Sequence, residues 1–148
     1  MRIYALSDIH GCLTALNEAL ARFEDELERP DTKLVFLGDY MHGGEDNRGV
    51  MDRIMALQRR YGPHRVIALL GNHDAWVVAG TCTIDRLRVD MSESGYDTRD
   101  GDERYIDWLS SLPRVHAEGN TIFVHAGIDE DLAASGLWEW TDEETYIY

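Results

Sequence analysis

Cysteine and long apolar runs are scarce in this chain of 148 residues. The two cysteines, Cys12 and Cys82, stand far apart, which excludes a disulfide framework and a cysteine-based zinc site. No segment is long and apolar enough to predict a transmembrane helix, and the apolar run at residues 3–6 is too short for a signal peptide. We therefore expect a cytoplasmic protein that has no membrane partner.

Basic residues are also scarce. The chain has 14 Lys and Arg against 28 Asp and Glu, which gives a formal net charge of −14 at pH 7. Nonspecific nucleic-acid binding requires Lys and Arg to neutralise phosphates, so this balance disfavours nucleic acid as a partner. Bound cations can still attract a phosphate group despite nearby carboxylates. An ordinary solvated acidic surface would produce the same composition.

Apolar residues make up 44% of the chain and fall into alternating strand and helix patterns. Apolar runs at residues 3–6, 34–37 and 66–70 predict three strands, and the continuous run at residues 34–37 predicts a strand that is covered on both faces. Apolar residues at helical spacing predict a helix at residues 13–29 and another at residues 50–57. This order predicts an α/β (α+β) fold with a mostly parallel sheet and helices packed on it.

The second half of the chain has a less regular pattern. Residues 75–102 are rich in charge and predict short helical pieces and loops. Residues 105–112 predict a helix, and residues 114–117 and 121–124 predict the two strands of a hairpin. The chain shows no linker and no internal repeat, so we expect a single domain, residues 1–148.

Polar clusters follow four of the predicted strands and carry oxygen or imidazole donors. They are Asp8-Ile9-His10-Gly11, Gly38-Asp39, Gly71-Asn72-His73-Asp74 and His125-Ala126-Gly127. The ligand site of a parallel sheet lies at the carboxyl ends of its strands, so we expect these clusters to converge. Each cluster alone would be an ordinary turn or helix cap. The ordered set predicts a site that binds two hard or borderline cations.

The donor types indicate how two cations would be held. Asp8 and His10, two residues apart on an extended segment, would point to the same side and reach one ion. Asp39 can bridge two ions through its two oxygens, while Asn72 offers a carbonyl oxygen and His125 an imidazole nitrogen. Mixed His and carboxylate ligation suits Mn, Fe or Zn better than Ca or Mg. Two such cations can activate a water for in-line displacement.

A histidine beside the predicted ligands is the candidate proton donor. His73 follows Asn72 and can protonate a leaving alkoxide or donate a hydrogen bond to a phosphoryl group. His64 and His116 have simpler interpretations, as a loop residue and a residue on the surface of the hairpin. A single histidine after an apolar strand is usually an ordinary polar terminus, so the assignment depends on the whole set of clusters.

These motifs resemble those of the calcineurin-like metallophosphoesterases, in particular the branch of serine/threonine phosphoprotein phosphatases and diadenosine tetraphosphatases. The match runs in order from Ile3 to about Asp129. The resemblance implies a sandwich of two mixed sheets with flanking helices, and hydrolysis of phosphomonoesters, phosphoproteins or nucleotide polyphosphates. It implies a first metal held by Asp8, His10 and Asp39, a second held by Asp39, Asn72 and His125, and catalysis by His73 and Asp39.

The sequence departs from the family pattern in the second motif. The family has Gly-Asp-x-Val-Asp-Arg-Gly, whereas this chain has Gly38-Asp39-Tyr40-Met41-His42-Gly43-Gly44. His42 stands where an Asp normally orients the general-acid histidine, and Gly43 stands where an Arg normally clamps phosphate. An imidazole and a glycine supply neither an orienting carboxylate nor a bidentate guanidinium. We expect substrate contacts from His42, Arg48 and Asn72, with Arg53 as an alternative to Arg48.

The chain also has no Gly-His pair, which in the family completes the second metal shell. We therefore expect the C-terminal part of the usual fold to be missing, because the chain is a fragment, is a shortened homologue, or has this part supplied by another chain. The core left exposed in a fragment would favour a homo-oligomer. One hypothesis is a phosphoesterase acting on a phosphorylated small molecule, nucleotide or protein. The other is a weakened or non-catalytic homologue that serves as a metal-binding or interaction module. A nuclease of the same superfamily would fit the metals but not the charge.

Overall fold

The first half of the chain is built on a parallel sheet of three strands. The computed structural model describes residues 1–85 and 102–128. The strands are β1 (Arg2–Leu6), β2 (Thr32–Phe36) and β3 (Val66–Ala68), and β2 lies between the other two. Parallel neighbours need crossover connections, and the helices α1 (Leu13–Leu20) and α2 (Asn47–Tyr61) supply them.

The first predicted helix is shorter than its apolar pattern suggests. The pattern predicts one helix at residues 13–29, but α1 ends at Leu20 and a 3₁₀ segment, Glu24–Glu28, follows. The prediction was wrong here because Phe23, at φ −146°, leaves the helical region of the backbone. Leu27 is nevertheless fully buried. The apolar spacing therefore reports burial correctly even where the helix is interrupted.

The second helix begins earlier than predicted. The apolar spacing predicts the helix at residues 50–57, but α2 already starts at Asn47. The Asp46 side chain caps the helix, because its Oδ1 accepts a hydrogen bond from the backbone N–H of Gly49 at 2.7 Å. The helix ends before Gly62, whose φ of +88° few other residues adopt.

Two further helices and a hairpin complete the described residues. They are α3 (Asn72–Val78), α4 (Glu103–Ser110), β4 (Val115–Glu118) and β5 (Thr121–Val124). The antiparallel pairing of β4 with β5 confirms the predicted hairpin. Residues 86–101, within the stretch predicted as helical pieces and loops, lie outside the described residues. Within the described ranges, no helix has both the length and the apolar character needed to cross a bilayer.

Strands β2 and β3 are covered on both faces, as their continuous apolar runs predict, whereas β1 is only partly buried and its Ala5 is exposed. One face packs against the helices through a core that includes Leu20, Phe36 and Ile54. On the other face Phe123 of the hairpin packs against Val35 and neighbouring side chains. The parallel sheet with flanking helices confirms the predicted α/β class. The hairpin therefore lies over one face of the sheet, and β5 brings the residues that follow it toward the end of β2.

A candidate metal centre at the carboxyl end of the sheet

The polar residues that follow β1, β2, β3 and β5 meet at one end of the sheet. Nε2 of His10 lies 3.7 Å from Oδ1 of Asp8 and 3.7 Å from Oδ2 of Asp39. Nε2 of His125 lies 3.4 Å from the same Asp39 oxygen, and 2.9 Å from Oδ1 of Asn72. The structure thus brings together all five residues that the sequence nominated as metal ligands, around the carboxylate of Asp39.

The His and carboxylate donors form two triads that include His73 as well as the predicted ligands. One triad consists of His10, Asp39 and His73, and another of Asp8, Asp39 and His125, with donor atoms within 4.8 Å of one another in each. Asp39 belongs to both, which suits a carboxylate that bridges two cations. His73 therefore lies as close to the predicted ligands as they lie to each other. Which donors hold which ion stays a prediction.

The chemistry of this donor set fits divalent or trivalent cations. Carboxylate and amide oxygens and bare imidazole nitrogens converge, and such groups repel one another unless a cation or a proton lies between them. The Asn72 amide can present its oxygen to this cluster, as a metal ligand would. Rotated by 180°, the same amide would instead donate from its nitrogen to Nε2 of His125 at 2.9 Å and to Oδ2 of Asp39 at 3.0 Å.

Two of the imidazoles are oriented by main-chain carbonyls. Nδ1 of His10 lies 3.0 Å from the carbonyl oxygen of Met41, and Nδ1 of His125 lies 2.9 Å from that of Leu37. A carbonyl can only accept, so each Nδ1 carries its proton and each neutral ring keeps a lone pair on Nε2. Metal-binding histidines are commonly fixed in this way. Both rings therefore present Nε2 to Asp39.

Left-handed backbone conformations place several of these side chains. Asp8, His10, Asp39 and His42 have φ values of 54°, 48°, 59° and 73°. The prediction that Asp8 and His10 lie on an extended segment was wrong, because the chain turns sharply directly after β1. Each such non-glycine residue costs roughly 1–3 kcal/mol. Strain of this kind is typical of functional sites, where the surrounding structure holds it in place.

Asp74 is a site residue to which sequence reasoning gave no role. Its side chain is fully buried, and its oxygens accept hydrogen bonds from the backbone N–H groups of Asp39 at 2.8 Å, Tyr40 at 3.1 Å and Gly71 at 2.9 Å. Burial raises the pKa of Asp74 to about 6, although these three hydrogen bonds oppose the shift. The sequence signal that indicates this role is an acidic residue at the third position of a helix, three residues after Gly71, where it can accept hydrogen bonds from backbone N–H groups.

Two glycines allow the loops after β2 and β3 to approach closely. A Cβ on Gly71 would lie 2.2 Å from Oδ1 of Asp39 and 2.3 Å from its backbone nitrogen. A Cβ on Gly38, which has φ +109°, would lie 2.5 Å from the backbone nitrogen of Gly71. Only glycine fits at these contacts. The close approach brings the Asp39 carboxylate beside the start of α3, where its Oδ1 accepts from the backbone N–H of His73 at 3.0 Å.

The charges of the cluster are coupled through Asp39. Burial tends to raise the pKa of Asp39, but interaction with His125 and the hydrogen bond from the His73 backbone outweigh it and leave the pKa lowered. Asp39 raises the pKa of His125, because the protonated ring can donate from Nε2 to the carboxylate. Burial lowers the pKa of His73, and the neighbouring His10 adds to that shift. The protein therefore keeps Asp39 ionised as a centre of negative charge.

His73 is surrounded by aromatic rings. It lies in the first turn of α3, and its ring centre is 4.8 Å from that of His10 and 4.7 Å from that of Trp76. Its Nδ1 is 2.9 Å from Nδ1 of His42, and Nε2 of His42 is 2.7 Å from the carbonyl oxygen of Thr83. Neither nitrogen of His42 is left for a phosphate oxygen in this arrangement. The geometry thus does not support the predicted contact of His42 with substrate.

The arginines expected to replace the family's phosphate clamp have other partners. Arg48 donates two hydrogen bonds to Asp102, both at 2.9 Å, and pairs with Asp85. Arg53 pairs with Glu24. These guanidinium groups bind carboxylates in the described residues, so substrate binding by Arg48 stays a prediction without support from the geometry. Gly43 itself has φ +129°, a conformation in which an Arg side chain would be strained.

Comparison with known proteins agrees with this site. The model of the calcineurin-like phosphoesterase family matches residues 1–146. This chain belongs to that family. The match covers all of the strand-end clusters described above, so the predicted resemblance is confirmed at the level of the family.

Several relatives carry one name. The chain is 32% identical over 128 residues to a protein of Janthinobacterium sp. (strain Marseille) named bis(5'-nucleosyl)-tetraphosphatase, symmetrical, and the alignment covers 86% of this chain and 44% of that protein. A protein of Nitrosospira multiformis with the same name is 33% identical over 151 residues, which cover 99% of this chain and 48% of the relative. This family member thus spans a little under half the length of these relatives.

A solved structure shows the same fold. A crystal structure of a protein proposed to be a diadenosine tetraphosphatase superposes with a TM-score of 0.55 at 23% sequence identity. The superposition covers 84% of this chain and 50% of that one. At this identity the likeness supports the architecture of the sheet and helices and does not extend to the substrate.

Proposed function

We propose that this protein is a metal-dependent phosphoesterase that hydrolyses nucleotide polyphosphates. The observation that carries the proposal is the convergence of Asp8, His10, Asn72 and His125 on the Asp39 carboxylate. The names of the relatives support dinucleoside tetraphosphates as the first substrates to test. Phosphomonoesters and phosphoproteins are the other substrate classes compatible with the family.

The cluster would hold two cations of the Mn, Fe or Zn type. When bound, such a pair activates a water molecule and stabilises charge on the attacking and leaving oxygens of an in-line displacement. Asp39 would contribute an oxygen to each ion, because it belongs to both donor triads. His10 and His125 would ligate through Nε2, since each Nδ1 lies within hydrogen-bonding distance of a carbonyl.

The remaining residues would handle the substrate. His73 is the candidate general acid, because its Nε2 lies 4.0 Å from Oδ2 of Asp39 and thus faces the donor cluster. A protonated His73 can donate from Nε2 to the leaving oxygen, a type of assistance worth about 10²–10⁴-fold in rate. Trp76 packs against this ring and is 39% exposed. An exposed aromatic face of this kind can contact a nucleobase.

A weakened or non-catalytic homologue is the alternative. Gly43 favours it, because this position offers no guanidinium and the described arginines nearest in sequence are paired with carboxylates. Among the described residues, His73 would then be the group left to bind phosphate beside the cations. The alternative predicts metal uptake without efficient turnover.

The test measures metal content and turnover on the same sample. The full chain is stripped of metal, reloaded separately with Mn²⁺, Fe²⁺ or Zn²⁺, and assayed with diadenosine tetraphosphate, ATP, an aryl phosphate and a phosphopeptide. We expect two ions per chain and turnover of a nucleotide polyphosphate. Asp39→Asn should abolish both, whereas the control His64→Asn, at an exposed loop residue, should change neither.

The outcomes separate the two functions. Two ions per chain with turnover that Asp39→Asn removes would establish the phosphoesterase. Ions bound at the cluster without turnover of any substrate on the panel would reject it in favour of the non-catalytic homologue. A chain that takes up no ion would overturn both.

A further inference from the structure

A chain of hydrogen bonds links the candidate general acid to the main chain. Nε2 of His42 lies 2.7 Å from the carbonyl oxygen of Thr83, and Nδ1 of His42 lies 2.9 Å from Nδ1 of His73. The His42 side chain is buried, at 6% exposure. Its backbone is held as well, because its N–H donates to Oδ1 of Asn47 at 3.1 Å. The ring of His42 therefore has a fixed place between two fixed partners.

The direction of these hydrogen bonds follows from the carbonyl group of Thr83. The Thr83 carbonyl has no proton to give, so Nε2 of His42 must carry the proton of that hydrogen bond. A neutral His42 then has a bare Nδ1, which can only accept. The proton shared by the two Nδ1 atoms therefore belongs to His73, and a neutral His73 has its lone pair on Nε2.

We propose that His42 is a positioning residue that fixes the Nδ1–H form of His73 and aims Nε2 of that ring at the metal cluster. Nε2 of His73 is the atom that lies 4.0 Å from Oδ2 of Asp39. An imidazole in this role replaces the carboxylate that the family pattern has at the same place. The role of His73 as general acid rests on the proposed function, whereas the hydrogen bonds of His42 to His73 and Thr83 do not depend on it.

The conformation of His42 suggests two matched variants. Its φ of 73° suits Asn and Gly, so neither substitution adds backbone strain. In His42→Asn the side-chain oxygen can occupy the place of Nδ1 and still accept from His73. In His42→Gly that acceptor is lost. The two variants therefore differ in the acceptor and not in the backbone preference.

The experiment reads the tautomer directly. The full chain is labelled with ¹⁵N, freed of metal and kept at a pH at which its histidines are neutral. NMR then gives the ring-nitrogen chemical shifts of its 6 histidines. The signals of His73 are identified as those that disappear in His73→Gln. We expect an N–H shift at Nδ1 and a lone-pair shift at Nε2 in the wild type and in His42→Asn. In His42→Gly we expect the populations to move toward the Nε2–H form.

Each outcome bears on the proposal. An Nε2–H form of His73 in the wild type would overturn it, and this holds even if His42→Gly does not fold. An unchanged tautomer in folded His42→Gly would also overturn it. In an active protein, His42→Gly should lower kcat about 10–100-fold and His42→Asn should restore it. An Nδ1–H form in a chain without turnover would reject the proposed function and leave this inference standing.

Discussion

The interior of the parallel sheet and the loops at its carboxyl end differ in both backbone and chemistry. The residues Leu34–Phe36 of β2 and all of β3 are buried, apolar and regularly paired. The loops that follow β1 and β2 carry non-glycine residues in left-handed conformations, and the sheet ends there in buried polar groups such as Asp39 and Asp74. The packed strands stabilise the fold, whereas the left-handed residues and buried carboxylates of the site destabilise it.

The contrast shows why the site needs the sheet beneath it. Residues with positive φ and buried carboxylates are each unfavourable, by roughly 1–3 kcal/mol for the backbone alone. A well-packed set of strands can hold them because its own conformations are relaxed and its apolar area is removed from water. Substitutions in the two regions should therefore have separate consequences, one for chemistry and one for stability.

The largest expected effect is on chemistry. His73→Asn should lower kcat about 10²–10⁴-fold, because it removes the candidate proton donor. The free energy of unfolding should fall by only about 1 kcal/mol, because the hydrogen bond to His42 is lost while the backbone N–H of residue 73 still donates to Asp39. Steady-state kinetics and urea unfolding of the same preparation measure the two. A variant that lost stability and rate together would contradict the separation of the regions.

The next effect is on the interior. Phe36→Ala should lower the free energy of unfolding by about 3–5 kcal/mol, because Phe36 is fully buried in the central strand β2. Val78→Ala, at a side chain that is 37% exposed, is the control and should stay within about 0.5 kcal/mol of the wild type. Urea unfolding monitored by circular dichroism compares them. Equal decreases in the free energy of unfolding of the two variants would contradict the larger contribution of the sheet interior to stability.

The third prediction addresses the boundary between the regions. Gly71→Ala should destabilise the fold by about 1–3 kcal/mol and weaken metal binding, because its Cβ would fall 2.2 Å from Oδ1 of Asp39. Gly127→Ala is the matched control, since a Cβ there meets no atom of the described residues within 4 Å. Calorimetric titration with Mn²⁺, beside thermal unfolding, checks both. Unchanged metal affinity in folded Gly71→Ala would refute the close-packed boundary.

The smallest effect concerns the contact between the sheet and the hairpin. The hydrogen bond from Lys33 holds the pKa of Glu118 below its ordinary value of 4.5. The folded protein thus binds this proton less readily than the unfolded chain, so the pair stabilises the fold above about pH 4.5 and stops doing so as the pH falls. Glu118→Gln should be slightly less stable than the wild type at neutral pH, and the difference should vanish in acid. A difference that persists at low pH would exclude this cause.

Sequence patterns predicted the parts of the fold that depend on local burial. The strands followed from apolar runs such as residues 34–37, and the hairpin from two short segments at residues 114–117 and 121–124. The approach of Asp8, His10, Asp39 and Asn72 followed from the rule that parallel strands end at one edge. His125 reaches the same place from the antiparallel hairpin, to which that rule does not apply. The interruption of the first helix at Phe23 could not be predicted, because its apolar spacing continues unchanged.

The features that sequence patterns did not predict depend on contacts between residues far apart in sequence. The pairing of His42 with His73 joins residues 31 positions apart, and no local pattern indicates it. The left-handed conformation of His10 is imposed by the packing of two loops, so periodicity predicted an extended segment there. The role of Asp74 likewise requires knowledge of where the amide of Asp39 lies, 35 positions earlier.

The carboxylate of Asp74 accepts amide protons from the turn after β2 and from the turn after β3. Asp74 thereby cross-links the two turns, so the spacing between the backbones at Asp39 and Asn72 is set by the fold. Under the proposed function, this spacing would limit the ionic radii that the two ligands can accommodate. Lengthening either turn by one residue would alter which ions the protein accepts, even with every ligand retained.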